Sequence, residues 1–308
     1  MDQIQMVFTA RVLIVGMGLL AGSVMDIRTR RIKDSVWMLM MFSGLPLLGF
    51  EMWLKGGDSS WISLLSLLLP LMGFLFVLFG YPEPGEVLRG SAADISFLVI
   101  YSACIIGSVL GFVRGDPALT YPVAFSSLFM LIYFGLYHVP VGGTRIIHGG
   151  ADLKCLLVLA ALFPWYGSDL PFALGPFYRI LSGNTLLAWI FPIHLSVLFN
   201  GAFITTVLLL VILPVMNLIR GDLAFPRIFT SYRTDVRGMN GKHVWVYVER
   251  NGKREKVEPT RKLESRLLGE GTKRVWVTPK IPFIFSLFLG FMVQMTAGNL
   301  VALIFLAI

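Results

Sequence analysis

The chain has 308 residues, 56% of them hydrophobic and only 14% charged, with a formal net charge of +8. Soluble domains carry roughly 25% charged residues, so a pair of ordinary soluble domains is excluded and repeated membrane spans are expected. Two cysteines, Cys104 and Cys155, both in apolar runs, give neither a disulfide framework nor a CxxC zinc site.

A membrane helix needs ~20 largely apolar residues. Runs of that kind lie at about 7–25, 35–54, 61–80, 94–113, 119–139, 151–165, 191–219 and 282–308, which predicts eight spans. Asp2, with no basic stretch ahead of the first apolar run, reads as the start of a retained span and not of a cleaved signal peptide. Residues 166–190, broken by Pro171, Pro176 and Gly183, read as a re-entrant or interfacial piece. The expected class is an all-α polytopic membrane protein with a small α+β cytoplasmic segment. Its expected division is 1–219 as the helical domain, 220–280 as the soluble segment and 281–308 as a last span.

The basic residues are unevenly placed. Arg28, Arg30, Arg31 and Lys33 crowd the short loop 26–34, and residues 220–280 hold fifteen Lys/Arg against seven Asp/Glu. With the N-terminus outside, these loops and those of Arg89 and Arg145 lie inside and contain 21 of the 26 Lys/Arg; Lys55, Arg114 and Arg179 lie outside. The short loop weighs most in the positive-inside rule, so the expected topology is N-out and C-out. The excess charge is thus a topological signal directed at the anionic leaflet of a lipid bilayer, and nucleic acid is not an expected partner.

Within 220–280, HVWVYVE (243–249) alternates apolar and polar residues, Asn251-Gly252 is a strong hairpin signal, and KREKVE is the return strand. Pro259 opens a short helix, TRKLESRLL, closed by Gly269 and Gly271. RVWV (274–277) reads as a further strand before Pro279 and Pro282 lead into the last span.

Ionisable groups near membrane depth are functional candidates by default. Asp26 ends the first span and Asp152 begins the sixth. Four predicted spans separate them; an even number returns the chain to the same face, so both aspartates are expected at the cytoplasmic side. Two carboxylates ~3 Å apart share a proton, which separates acid and base roles for attack of water on a peptide bond. Gly149 and Gly150, just before Asp152, are expected to permit unusual backbone angles and close approach of an extended peptide. Each aspartate also has a plainer reading. Asp152 is a natural helix cap, Asp26 a solvated helix end, and Asp34 and Asp94 caps for the spans they precede. Arg28 and Arg30 read as topology signals, Arg11 as a snorkelling or paired side chain, and His138, His148 and His194 as structural.

The residues in SVMDIRTRRIKDSVW resemble the first motif of the type IV prepilin peptidases, and HGGADLKCLLVLAALFP resembles the second, the GxGD motif of these membrane aspartic proteases. RVWVTPKIPFIFSLFLG and FPIHLSVLFNGAFITTVLLLVILP are similar to the archaeal branch, the preflagellin peptidases. The resemblance implies Asp26 and Asp152 as the catalytic pair, with Gly149, Gly150 and Ala151 as motif positions and Ala151 replacing the third-position glycine. Arg28, Arg30, Asp34 and Lys154 lie in the same two motifs, with Asp34 suited to the basic leader of a substrate. It also implies cleavage of class III signal peptides from archaellin or pilin precursors at the cytoplasmic membrane face. No cofactor or metal is implied, and the absence of CxxC argues against the zinc segment and methyltransferase activity of bacterial members. The aspartates are further apart than in compact members; residues at about 55–120 add two spans. A proton- or cation-coupled transporter using the same aspartates, a presenilin-like intramembrane protease, and an inactive scaffold remain open alternatives.

Overall fold

A computed structural model describes residues 2–57, 60–80, 92–140, 146–147, 149–166, 191–250 and 253–300. These fall into two compact units: the described residues of 1–201 with those of 283–308, and those of 202–282. The Asn251-Gly252 turn, His148, most of the 166–190 stretch and the end of the last expected span lie outside the described residues.

Among the described residues, six helices are long and apolar enough to cross a membrane: α1 (Gln3–Thr29), α2 (Asp34–Gly56), α3 (Ser60–Phe79), α4 (Ala92–Arg114), α5 (Pro117–His138) and α7 (Ile193–Arg220). The protein is therefore a helical polytopic membrane protein. The remaining two expected spans are the shorter helices α6 (Gly150–Leu162) and α9 (Phe283–Thr296). The 13 residues of α6 extend about 20 Å, less than a hydrocarbon core. Its composition explains its place. Leu153 and every residue from Cys155 to Leu162 are buried, so α6 is apolar all round and forms the hub of the first unit. Phe8, Val12 and Val15 of α1, Trp37 and Met41 of α2, Met130 of α5 and Phe291 of α9 belong to the same core.

Small residues bring helices into close contact in this unit, as expected where lipid gives no hydrophobic drive to helix association. A Cβ on Gly111 of α4 would sit 2.5 Å from the backbone nitrogen of Ser66 in α3, and one on Gly290 of α9 would sit 2.1 Å from the Val197 carbonyl of α7. Helix α3 contains a 3-10 turn, Leu65–Leu67, just before Pro70, which lacks the donor that would continue the α-helical ladder. Asn200 of α7 donates to the Gly298 carbonyl at 2.9 Å and accepts from the Leu300 N–H at 2.9 Å, tying the start of α7 to the chain after α9.

The first unit also contains charges that the sequence left without partners. Arg11 of α1 is fully buried and pairs at 2.6 Å with Glu51 of α2, itself fully buried. Glu51 also accepts from Lys55 at 2.7 Å and from the Trp165 indole at 2.7 Å. The Arg11 guanidinium lies over the rings of Phe8 and Phe163. Arg11 is thus an interhelical ion-pair partner and not a snorkelling residue.

The second unit has a four-stranded antiparallel sheet in the order β1-β4-β2-β3. Its strands are β1 (Tyr232–Asp235), β2 (Val244–Arg250), β3 (Lys253–Val257) and β4 (Arg274–Pro279), with helix α8 (Arg261–Gly269) between β3 and β4. The β2–β3 register runs antiparallel from Val246↔Val257 to Arg250↔Lys253. Val244, Val246, Val248, Val275 and Val277 cover one face and pack with Val236, Met239 and Leu267. Strand β1 was not foreseen. Its sequence, YRTD, is short and mostly polar, and it pairs with β4 alone.

Candidate active site

Asp26 sits in the last two turns of α1 and Asp152 in the first turn of α6. The Asp26 carboxylate is nearly buried. Its Oδ2 accepts from the backbone N–H of Ile284 at 3.1 Å. Ile284 lies in the first turn of α9, where helix N–H groups have no intrahelical acceptor. Asp26 therefore satisfies an orphan donor of the last helix, and its negative charge faces the positive end of that helix. Ser23, one turn earlier, donates to the Ile284 carbonyl at 3.2 Å and to the Leu19 carbonyl at 2.6 Å. The plainer expectation of a solvated helix end does not hold for Asp26.

Arg30 closes α1 in a left-handed conformation, φ 56° and ψ 20°, and its N–H donates to the Asp26 carbonyl at 3.2 Å. Among the described residues it is the one non-glycine with positive φ. Such positions are disfavoured for residues with a Cβ, and here the turn brings the guanidinium to 3.6 Å from Asp26 Oδ1. Arg28 is exposed.

The backbone at Gly149 does not take the unusual angles expected of it. Gly149 is the N-cap of α6 with an ordinary extended backbone, φ −102° and ψ 134°. Its importance is steric: a Cβ there would lie 2.6 Å from Asp152 Oδ2 and 3.0 Å from its Cγ. The carboxylate thus folds back over the glycine. At Gly150 the nearest atom to an added Cβ would be the Tyr137 hydroxyl, at an ordinary 3.7 Å. Ala151 is half-buried and packs against the core.

Asp34 does not cap α2. Lys33 holds the cap position without a side-chain bond, and Asp34 Oδ1 instead accepts from Lys154 Nζ at 2.6 Å. This contact joins the two motifs directly, across α2 and α6. Asp94 falls inside the first turn of α4. His194 is buried against the rings of Phe129 and Tyr133, and His138 stacks with Phe134 and Tyr137.

Cys155, one turn after Asp152 and fully buried, lies within electrostatic reach of both the Asp26 and Asp152 carboxylates. Beside this turn is a cavity of about 260 Å³ lined by Phe76, Val77 and Gly80 from α3 and its end, Phe134, Tyr137 and His138 from α5, and Gly150, Leu153 and Lys154 from α6. Among the described residues, no group of three or more His, Cys, Asp or Glu is arranged to hold a metal ion. Sequence reasoning missed Ile284, whose contribution is a backbone N–H.

The fold defines a helical polytopic membrane protein in which Asp26 and Asp152 both lie within electrostatic reach of the buried Cys155. The chain is similar to the preflagellin peptidase of Methanocaldococcus jannaschii, with 25% identity over 316 aligned residues covering 96% of this chain and 97% of that protein. This similarity supports assignment to the preflagellin/prepilin peptidase family of membrane proteases. No family model and no solved structure matches the chain.

Proposed function

We propose that the chain is a membrane aspartic endopeptidase that removes class III signal peptides from archaellin or pilin precursors at the cytoplasmic membrane face. The observation that carries this reading is that two motif aspartates from helices far apart in sequence, Asp26 held by the Ile284 N–H and Asp152 folded over Gly149, both lie within electrostatic reach of buried Cys155. The full-length similarity to a preflagellin peptidase supports the same substrate class.

In this mechanism the two carboxylates share one proton. The ionised member takes a proton from water as its oxygen attacks the scissile carbonyl, and the protonated member donates to the carbonyl oxygen. Collapse of the tetrahedral intermediate breaks the C–N bond, and the proton gained from water passes to the leaving amine. The contacts of Asp26 with Ile284 and Arg30, and the room that Gly149 leaves for the Asp152 carboxylate, hold the pair in position. The cavity beside Gly150 and Lys154 receives substrate side chains next to the cleaved bond, and through Phe76, Val77 and Gly80 the additional spans take part in substrate choice.

Purified protein in detergent is incubated with archaellin and pilin precursors, and the products are analysed by mass spectrometry. A single cut between basic leader and apolar helix is expected. Intact precursors combined with proton flux through reconstituted liposomes would replace this reading with the transport one.

A further inference from the structure

The second unit has a polar sheet face that peptide hydrolysis does not use. Side chains alternate across a strand, so the valines turned to the core leave Arg233, Trp276, Tyr247 and Lys256 on the opposite face. Arg233 is opposite Trp276 in the β1–β4 register, and Tyr247 is opposite Lys256 in the β2–β3 register. On this face a cavity of about 230 Å³ is lined by Arg227, Arg233, Arg274, Tyr247 and Trp276, with Val248 and Val275. The guanidinium carbons of Arg227 and Arg233 stand 5.8 and 5.2 Å from the Trp276 ring centre. Arg233 is also held by Asp222 at 3.4 Å. Lys256 lies over the Tyr247 ring, and Lys280 lies over the Trp245 ring while paired with Glu258. Burial alone would raise the Tyr247 phenol, but hydrogen bonds with Thr278 and Ser231 and the Lys256 ammonium bring it below the usual tyrosine range.

Three arginines around a small hollow suit a tetrahedral oxyanion, because each guanidinium presents a fork of donors matched to phosphate oxygens. The surrounding charge points the same way. The fifteen Lys/Arg and seven Asp/Glu of 220–280 account for the whole +8 of the chain. Chain connectivity supplies the source of the anion: the sheet follows apolar α7, most of which belongs to the same unit, and the chain runs directly into α9 at the other end. Both chain ends therefore enter apolar helices. Trp and Tyr among Lys and Arg are typical of the headgroup layer. The aromatic floor suits single-stranded nucleic acid less well, because base stacking needs an open ring, and Trp276 is only 8% exposed beneath two guanidiniums.

We infer that the hollow formed by Arg227, Arg233, Arg274, Tyr247 and Trp276 is a binding site for the phosphate of an anionic phospholipid headgroup. The test uses the full chain in neutral detergent, titrated with dihexanoyl phosphatidylglycerol, dihexanoyl phosphatidylcholine, inorganic phosphate or a single-stranded oligonucleotide, with complexes counted by native mass spectrometry. Phosphatidylglycerol is expected to bind at least tenfold more tightly than phosphatidylcholine or inorganic phosphate. Arg274→Gln is expected to weaken it about tenfold with the melting temperature unchanged. Arg261→Gln, on α8 and outside the hollow, is expected to leave it intact. Equal binding of the two lipids, or equal loss in Arg274→Gln and Arg261→Gln, would overturn the site. Inorganic phosphate binding as well as the lipid, or an oligonucleotide displacing it at lower concentration, would overturn the lipid as its ligand. The readout involves no cleavage, so its failure is separate from failure of the peptidase reading.

Discussion

At position 149 the space that a methyl group would need is occupied by the Asp152 carboxylate. This predicts an unequal pair of substitutions. Gly149→Ala should leave the protein folded, since the end of a short side chain can rotate away, but should displace the carboxylate. A misplacement of ~1 Å at a reacting group costs about a hundredfold in rate, so a loss of cleavage of that order is expected in a precursor assay. Gly150→Ala meets an ordinary 3.7 Å contact and should cleave at near wild-type rate. Equal loss at the two positions would remove the steric role assigned to Gly149. The sequence flags both glycines but cannot separate them: adjacency to an aspartate suggests backbone freedom, whereas the direction of the side chain decides the matter. Asp34 shows the same difficulty. Its position before an apolar run reads as a cap, and its partner, Lys154, is 120 positions away.

Among the elements, α1 and α2 are joined by a charge cluster inside apolar surroundings. Removing one partner of a buried ion pair strands the other and costs about 3 kcal/mol or more. Glu51→Gln should therefore lower stability by about 3 kcal/mol, read as a fall in the unfolding midpoint in detergent. The double substitution Arg11→Met, Glu51→Met should recover most of it; no recovery would mean that Glu51 acts chiefly through Lys55 and Trp165. The long helices were legible because apolar runs near 20 residues leave few alternatives. The β2–β3 pair and the β4 strand were legible from β-branched alternation and turn residues. What stayed hidden was pairing. Arg11 and Glu51 each look like a misplaced charge, and β1 is a strand only because β4 accepts it at the sheet edge. The apolarity of the short α6 reads as a span in the sequence; the same composition serves a helix enclosed by its neighbours.

For the whole molecule, the distribution of charge makes a claim about topology. With the basic loops inside, Arg31 and Lys253 share the cytoplasmic face. Cysteine substitutions at these two positions should both resist an impermeant thiol reagent in intact cells and both label once the membrane is permeabilised. Labelling from opposite sides would contradict the expected N-out arrangement and the cytoplasmic assignment of the proposed site. Parity alone brought Asp26 and Asp152 to one face in the sequence. The burial of α6 at the centre of its unit, with Cys155 within electrostatic reach of both, is recorded by no local pattern.

The most direct measurement compares Asp26→Asn and Asp152→Asn with wild type in single-turnover cleavage of an archaellin or pilin precursor. Asparagine keeps the size of aspartate, and its carbonyl can still accept the Ile284 N–H, so α9 remains capped, but it cannot ionise. Both variants should fold with unchanged melting behaviour, bind precursor and release no leader. A folded Asp152→Asn protein that cuts the precursor at near wild-type rate would contradict the account.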